Sequence, residues 1–178
     1  MTKKSLKVIA FDADDTLWRN EELFWEFKDE FKTLLSKYAL GMDSEELEAY
    51  LYVMEVGNIP NYGYGFKSYT LSMIEAAIEL TDGKVSAKDI ARLLQLLKRQ
   101  MHAELDFFPH VRETLQALRG QVDLMLITKG DTAEQRHKID KSGLMPFFRW
   151  VEIVHRKDEE TYRELLEKYS IEPEAFLM

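Results

Sequence analysis

A short apolar run near the start of the chain ends directly on a cluster of acidic residues. The run extends from Leu6 to Phe11, and Asp12, Asp14 and Asp15 follow it. A mostly apolar run that is rich in β-branched residues is typical of a strand buried on both faces of a parallel sheet. Carboxylates this close repel one another unless a cation or a chemical task holds them together. The stretch therefore predicts a buried strand that delivers acidic side chains to a functional site.

The spacing of apolar residues divides the rest of the chain into two blocks. Between residues 18 and 105 the apolar residues recur at helical spacing, which predicts an all-helical segment. Asp43 and Glu46 form a capping pair for one of these helices. The segment 57–65, rich in glycine, proline and asparagine, predicts that this helix is interrupted after residue 56. The predicted helices are 20–38, 44–56, 66–80 and 86–104.

After residue 106, predicted helices alternate with predicted strands. The helices are 109–119, 131–142 and 158–169, and the strands are 122–128, 148–154 and a last one that begins at residue 175. Strands that alternate with helices favour an α/β fold with a parallel sheet. We therefore predict a Rossmann-like core domain formed by residues 1–17 and 106–178, with an all-helical domain at 18–105 inserted after the first strand.

Composition narrows the possible functions. The net charge of −8 disfavours binding to nucleic acid or to an anionic membrane surface. Because the chain has no cysteine, a disulfide framework, a thiol nucleophile and a cysteine-ligated zinc site are excluded. The apolar run near the start is too short for a signal peptide or a membrane span, so we expect a cytoplasmic protein. An anionic substrate must be attracted locally, by a metal ion, lysines or backbone N–H groups.

Acidic and polar side chains follow the predicted strands at the edge where α/β proteins bind ligands. Asp12 and Asp14 follow the first strand, Thr128 ends the second, and Lys157 lies just past the third. Two carboxylates at positions i and i+2 leave the strand in different directions, so one can face a phosphorus atom while the other reaches the leaving oxygen. Mg²⁺, which prefers oxygen ligands, would relieve their repulsion.

The remaining residues at this edge suit a phosphoryl group. The Thr128 hydroxyl can donate to a phosphoryl oxygen, and the backbone N–H groups of Lys129 and Gly130 add donors at a helix start. Lys157 supplies positive charge to the nucleophile and to the group being transferred. The sequence therefore predicts a phosphoryl-transfer site.

These motifs resemble those of the haloacid dehalogenase-like superfamily. The motif D-x-D-x-T follows the first strand, a threonine ends the second, and a lysine precedes the helix after the third; the residues are Asp12, Asp14, Thr16, Thr128 and Lys157. The resemblance covers residues 6–17 and 106–178. The inserted helical segment is similar in position and length to the first type of cap domain of that family.

The resemblance implies a role for each matching residue. Asp12 would be the nucleophile that forms an aspartyl-phosphate, and Asp14 the general acid and base whose backbone carbonyl also binds Mg²⁺. Thr16 would support the loop, Thr128 would bind the phosphoryl group, and Lys157 would neutralise Asp12 and the phosphate. Haloacid dehalogenases proper lack a carboxylate at the position of Asp14, so the resemblance implies a magnesium-dependent phosphatase whose helical cap closes over a small phosphorylated metabolite.

One family motif has no counterpart in the sequence. The family's fourth motif, an acidic pair or near pair that supplies a further Mg²⁺ ligand, is expected after the strand that begins at residue 175, and the sequence ends at Met178. We therefore expect the 178 residues to be an incomplete version of a longer protein. Two alternatives stay open, namely a noncatalytic or incomplete fragment and a phosphoacceptor signalling module, although the latter leaves no room for a large helical insertion after its first strand.

Several residues near these motifs allow two interpretations. The aromatic residues of segment 62–66 either sense a substrate or pack between helices. Trp18 and Arg19 either contact the leaving group of a substrate or act as a hinge. Asp15 is predicted to be a solvated turn residue, because its neighbours already provide the metal ligands.

Overall fold

The structure, a computed structural model, describes residues 6–178 and divides the chain into two compact units. One unit comprises the residues up to Arg19 together with Leu105–Met178, and the other is Asn20–Glu104. The helices are α1 (Glu21–Leu35), α2 (Ser44–Tyr62), α3 (Phe66–Leu80), α4 (Ala87–Met101), α5 (Val111–Leu118), α6 (Thr132–Ser142) and α7 (Glu159–Lys168). In the part of the chain that the structure describes, no helix is both long and apolar enough to cross a membrane.

The strands of the first unit form one parallel sheet, which confirms the predicted α/β fold. Within residues 6–178 its strands, in the spatial order β3-β2-β1-β4, are β1 (Val8–Phe11), β2 (Asp123–Lys129), β3 (Trp150–Val154) and β4 (Phe176–Leu177). In the register of this sheet, Phe11 is level with Leu126, and Thr128 is level with Ile153. The residues that follow β1 therefore leave the sheet beside Thr128, at its carboxyl edge.

Helices cover both faces of this sheet. On one face Ile9 belongs to the same hydrophobic core as Leu115 of α5 and Ile139 of α6. On the other face Val8 belongs to a core that includes Leu165 of α7. A strand covered on both faces must be apolar at successive positions, and this explains the apolar run from which the strand was predicted.

The helical unit has a core of its own, built largely from α1, α3 and α4 with part of α2. Phe27 of α1 stacks on Phe66 of α3 with ring centroids 5.5 Å apart. The predicted capping pair is confirmed, because the Asp43 carboxylate accepts from the Glu46 N–H at 3.0 Å and the Glu46 carboxylate accepts from the Asp43 N–H at 2.9 Å. The aromatic residues of segment 62–66 differ in burial, since Phe66 is buried whereas both tyrosines are exposed.

The predicted end of α2 at residue 56 is wrong, because this helix continues to Tyr62, and the break between α2 and α3 is confined to residues 63–65. Contacts with α3 hold these last turns in place. The buried Asn58 amide donates to the Glu75 carboxylate at 2.7 Å, and the Tyr62 hydroxyl donates to the same carboxylate at 2.5 Å. These tertiary contacts offset the backbone donor that Pro60 removes from the helix.

Candidate active site

The acidic cluster lies in a tight loop at the carboxyl end of β1. The Thr16 N–H donates to the Ala13 carbonyl at 3.2 Å, and the Asp15 N–H donates to the Trp18 carbonyl at 2.8 Å. Asp15 has a φ of 56°, a left-handed conformation that aspartate and asparagine tolerate better than most residues. The chain therefore turns back within this loop, and the Trp18 side chain comes to lie beside Asp14.

Asp12 forms an ion pair with Lys157. The Lys157 Nζ lies 2.5 Å from the Asp12 Oδ1, and the Ala13 N–H donates to the same oxygen at 2.8 Å. The Asp12 side chain is 37% exposed and that of Lys157 is 20% exposed. The pair therefore couples a solvent-accessible carboxylate to a positive charge that could also attract an anionic group.

Three side chains hold the carboxylate of Asp14, and the sequence predicted none of these contacts. The Trp18 indole N–H donates to Oδ1 at 2.7 Å, and the Gln135 amide donates to Oδ2 at 2.7 Å. The Lys138 ammonium lies 3.2 Å from Oδ1 and 3.1 Å from Oδ2. Gln135 and Lys138 are three residues apart on α6, and this spacing places them on one face of the helix. In the sequence this pair does not differ from the other polar residues of 132–142, so no sequence signal identified it.

The environment of Trp18 argues against one of the two roles predicted for it, contact with the leaving group of a substrate. Its side chain is only 1% exposed and makes an edge contact with Phe107, with ring centroids 6.1 Å apart. The adjacent Arg19 N–H donates to the Asp106 carbonyl at 2.8 Å. Because the indole is buried and donates to Asp14, Trp18 does not present its ring to a substrate.

Gln135 links Asp14 to Thr128. The Thr128 hydroxyl, which is buried, donates to the Gln135 Oε1 at 3.4 Å, while the Nε2 of the same amide faces Asp14. Gly130 leaves space for this side chain, because a Cβ atom at that position would lie 2.9 Å from the Gln135 Nε2. Asp14 and Thr128, which the sequence assigned to one site, are thus joined through a single buried amide.

The backbone at the end of β2 pairs with β3. Lys129 is the last residue of β2, pairs with Val154 of β3 and has an exposed side chain. The Gly130 N–H donates to the Val154 carbonyl at 3.4 Å, so this predicted phosphate donor already has an acceptor. The next residue, Asp131, caps α6 by accepting from the Glu134 N–H at 2.8 Å.

Within residues 6–178, no group of three or more Asp, Glu, His and Cys side chains is placed to hold a metal ion. At this edge of the sheet Asp12 offers an accessible carboxylate, whereas both carboxylate oxygens of Asp14 accept from N–H donors. Any Mg²⁺ bound here would have few side-chain ligands, an arrangement that is common for this ion because it keeps several of its water molecules.

This combination of a parallel sheet, an acidic loop after its first strand and an inserted helical unit defines a known class of hydrolases. A family model described as haloacid dehalogenase-like hydrolase matches residues 6–178. The chain therefore belongs to the haloacid dehalogenase-like hydrolase family, which confirms the predicted family.

Individual relatives differ in the reaction that their names describe. A haloacid dehalogenase-like family hydrolase from Xanthomonas campestris is 34% identical with a TM-score of 0.88, over 99% of this chain and 73% of that chain. The glyceraldehyde 3-phosphate phosphatase of Methanocaldococcus jannaschii is 29% identical over 144 residues, which are 80% of this chain and 60% of the length of that relative. The L-2-haloacid dehalogenase from Xanthobacter autotrophicus is 14% identical with a TM-score of 0.56, over 96% of this chain and 68% of that chain, and shares the fold alone.

Proposed function

We propose that this protein is a magnesium-dependent phosphatase that hydrolyses a small phosphorylated metabolite through an aspartyl-phosphate on Asp12. The observation that carries the proposal is the ion pair between Asp12 and Lys157, with a 2.5 Å contact, at the carboxyl end of β1. The carboxylate is accessible enough to attack a phosphorus atom. The ammonium beside it attracts the phosphate and offsets the charge that accumulates when two anions approach each other.

Two steps follow from this arrangement. In the first, a carboxylate oxygen of Asp12 bonds to phosphorus, the bond from phosphorus to the alcohol oxygen breaks, and Asp14 gives that oxygen a proton. In the second, Asp14 takes a proton from a water molecule whose oxygen bonds to phosphorus. The bond between phosphorus and Asp12 then breaks, which releases phosphate and restores both carboxyl groups to their starting protonation states.

The presence of a carboxyl group at position 14 favours phosphate ester hydrolysis over dehalogenation. A halide leaves carbon as a stable anion and needs no proton, whereas an alkoxide is a poor leaving group unless an acid protonates it. A second carboxyl group two residues after the nucleophile has a clear task in the phosphatase reaction. The phosphatase activity in the name of the Methanocaldococcus jannaschii relative supports the same choice.

The donor atoms present suit a magnesium ion. The accessible Asp12 carboxylate and the backbone carbonyl of Asp14 would hold it, since the side-chain oxygens of Asp14 already accept N–H donors. When bound there, Mg²⁺ supplies positive charge to the phosphoryl oxygens. We expect a chelator to abolish phosphate release from the full-length protein and added Mg²⁺ to restore it.

Asp12→Asn tests the proposal. We expect turnover of phosphate monoesters to fall by a factor on the order of 10⁴ or more, because the variant lacks the attacking oxygen anion. A substrate screen should include glyceraldehyde 3-phosphate, the compound in the name of the relative. The matched control is Asp15→Asn, an exposed position four residues beyond the end of β1 whose left-handed backbone asparagine tolerates. Full activity in Asp12→Asn would refute the assignment of the nucleophile.

A further inference from the structure

We propose that Trp18, Gln135 and Lys138 are positioning residues that hold the carboxyl group of Asp14 for proton transfer to and from the reacting oxygen. The inference deepens the proposed function and rests on it. It assigns a task to the first two turns of α6, which the family motifs in the sequence do not include.

The first argument is the burial of Lys138. Its side chain is only 10% exposed, and its ammonium lies between the carboxylates of Asp14, at 3.1 Å, and Glu134, at 3.6 Å. A buried ammonium is costly unless it is paired, and because two carboxylates share this one, moving it away from Asp14 would leave Asp14 without its cation. Lys138 therefore restrains the position of Asp14, because separating the two side chains would cost free energy.

The second argument is the orientation of the Gln135 amide. A carboxylate is the natural acceptor for an N–H group, so the 2.7 Å contact with Asp14 assigns Nε2 to that side. The Oε1 must then face Thr128, whose hydroxyl is 3.4 Å away and can donate to it. The same side chain thereby sets the position of the residue assigned to proton transfer relative to the residue assigned to phosphate binding.

Buried donors contact both carboxylate oxygens of Asp14. Trp18, Gln135 and Lys138 are all buried, whereas the Asp14 side chain is 20% exposed. Fixing a carboxyl group in one place lowers the entropy that must be lost when it transfers a proton.

Substrates with different leaving groups separate a positioning role from a structural one. The p-nitrophenolate group leaves phosphorus without a proton, whereas a simple alkoxide needs one from Asp14. Loss of positioning should therefore slow phosphoryl transfer to Asp12, the step that kcat/KM reports, much more for alkyl phosphates than for p-nitrophenyl phosphate. Hydrolysis of the aspartyl-phosphate, which is common to both substrates, should slow equally for both. Loss of folded structure would slow both reactions by the same factor.

Three variants each remove one donor and keep most of the packing: Trp18→Phe, Gln135→Met and Lys138→Met. For Lys138→Met we expect kcat/KM for an alkyl phosphate to fall about 10- to 100-fold, a part of the roughly 10²- to 10⁴-fold that a positioned acid contributes. The value for p-nitrophenyl phosphate should change little. Lys138→Arg, which keeps a cation, should recover part of the alkyl phosphate activity. Lys141→Met, at an exposed position on the same helix, is the matched control and should match the wild type with both substrates.

Asp14→Asn is the reference in single-turnover measurements of leaving-group release, because it should show the largest loss with alkyl phosphates. If Asp14→Asn is selective for the leaving group while all three donor variants slow both substrates equally, the inference fails and the proposed function stands. If Asp12→Asn retains turnover, the proposed function fails and the inference fails with it. Trp18→Phe keeps an aromatic ring against Phe107, so a selective loss or its absence is readable even if the α6 variants do not fold.

Discussion

At the scale of single residues, Lys157 brings positive charge to an otherwise acidic loop. Its ammonium contacts the Asp12 carboxylate at 2.5 Å. We predict that Lys157→Met lowers kcat/KM for phosphate monoesters by about 10²- to 10³-fold, because a fixed charge next to the reacting group is lost. The free energy of unfolding should change by no more than about 1 kcal/mol, since both side chains are partly exposed.

The control for this prediction is Arg149→Met. It removes another partly exposed ion pair, in which the Arg149 guanidinium lies 2.6 Å from the Asp123 carboxylate at the opposite end of β2. Its activity should match that of the wild type in the same steady-state assay. Equal activity in the Lys157 and Arg149 variants would contradict the role of Lys157.

Site residues differ in how far the sequence reveals them. Asp12 and Thr128 stand directly at strand ends, where the apolar pattern stops, so their meeting follows from the parallel sheet. Gln135 and Lys138 lie inside a helix among other polar residues, and nothing in the local pattern separates them from a solvated face. Only the packing of α6 on the sheet shows that these two side chains are buried against Asp14.

At the scale of secondary-structure elements, the contact between α2 and α3 decides where α2 ends. The Asn58 and Tyr62 donors keep the pKa of Glu75 below its ordinary value, with the Tyr62 hydroxyl as the larger cause. We predict that Glu75→Ala lowers the free energy of unfolding of the helical unit by about 1 to 3 kcal/mol, because the buried Asn58 amide loses its closer acceptor. Backbone amides in 57–62 should also exchange faster with solvent.

Tyr62→Phe provides the control for this prediction. It removes the exposed hydrogen bond to Glu75 and leaves the buried one, so the change should stay within about 0.5 kcal/mol. Hydrogen exchange measured by mass spectrometry would follow the end of α2 in both variants. Unchanged exchange in Glu75→Ala would show that other contacts maintain the helix.

The course of α2 also shows the limit of local sequence patterns. Glycine and proline at positions 57 and 60 predict a break because each lowers helix propensity. The hydrogen bonds that offset this low propensity join Asn58 to Ser72 and Glu75 on α3, and the local sequence pattern does not reveal them. Where local residues provide both partners, as in the capping box of Asp43 and Glu46, the prediction was confirmed.

At the scale of the whole molecule, the two units have separate cores, so their stabilities can be perturbed separately. In the helical unit the Lys37 ammonium, with the Tyr38 and Ser86 hydroxyls, lowers the pKa of Asp89 to about 2 from its ordinary 3.8. A carboxyl group whose pKa is lower in the folded state stabilises it above the unfolded pKa, and this contribution is lost as the pH falls toward the folded pKa.

We therefore predict that Asp89→Asn destabilises the helical unit most at about pH 5 and above, and progressively less as the pH falls from about 4 to about 2. Urea unfolding of the variant and the wild type across this range would measure the difference. Asp82→Asn, which affects an exposed residue 3.7 Å from Lys84, should show little effect at any pH. A difference between Asp89→Asn and the wild type that does not depend on pH would contradict the prediction.

The overall architecture was largely predictable because the apolar period changes along the chain. The helical block packs around a core between helices, whereas the block of alternating helices and strands packs around a parallel sheet. The strand order β3-β2-β1-β4 was not predictable in the same way, since it depends on which strands pair over long sequence separations. That the helical unit acts as a cap stays a prediction.

The central claim is that a phosphoryl group is transferred to Asp12. Asp14→Asn tests it directly, because p-nitrophenolate needs no acid to leave, whereas the hydrolysis of the aspartyl-phosphate needs Asp14 as a base. After mixing this variant with p-nitrophenyl phosphate and Mg²⁺, acid quenching and peptide mass mapping, we predict a stoichiometric burst of nitrophenolate and one phosphoryl group on Asp12. A burst of nitrophenolate that leaves the Asp12 peptide unmodified, or a phosphoryl group on another residue, would contradict the account.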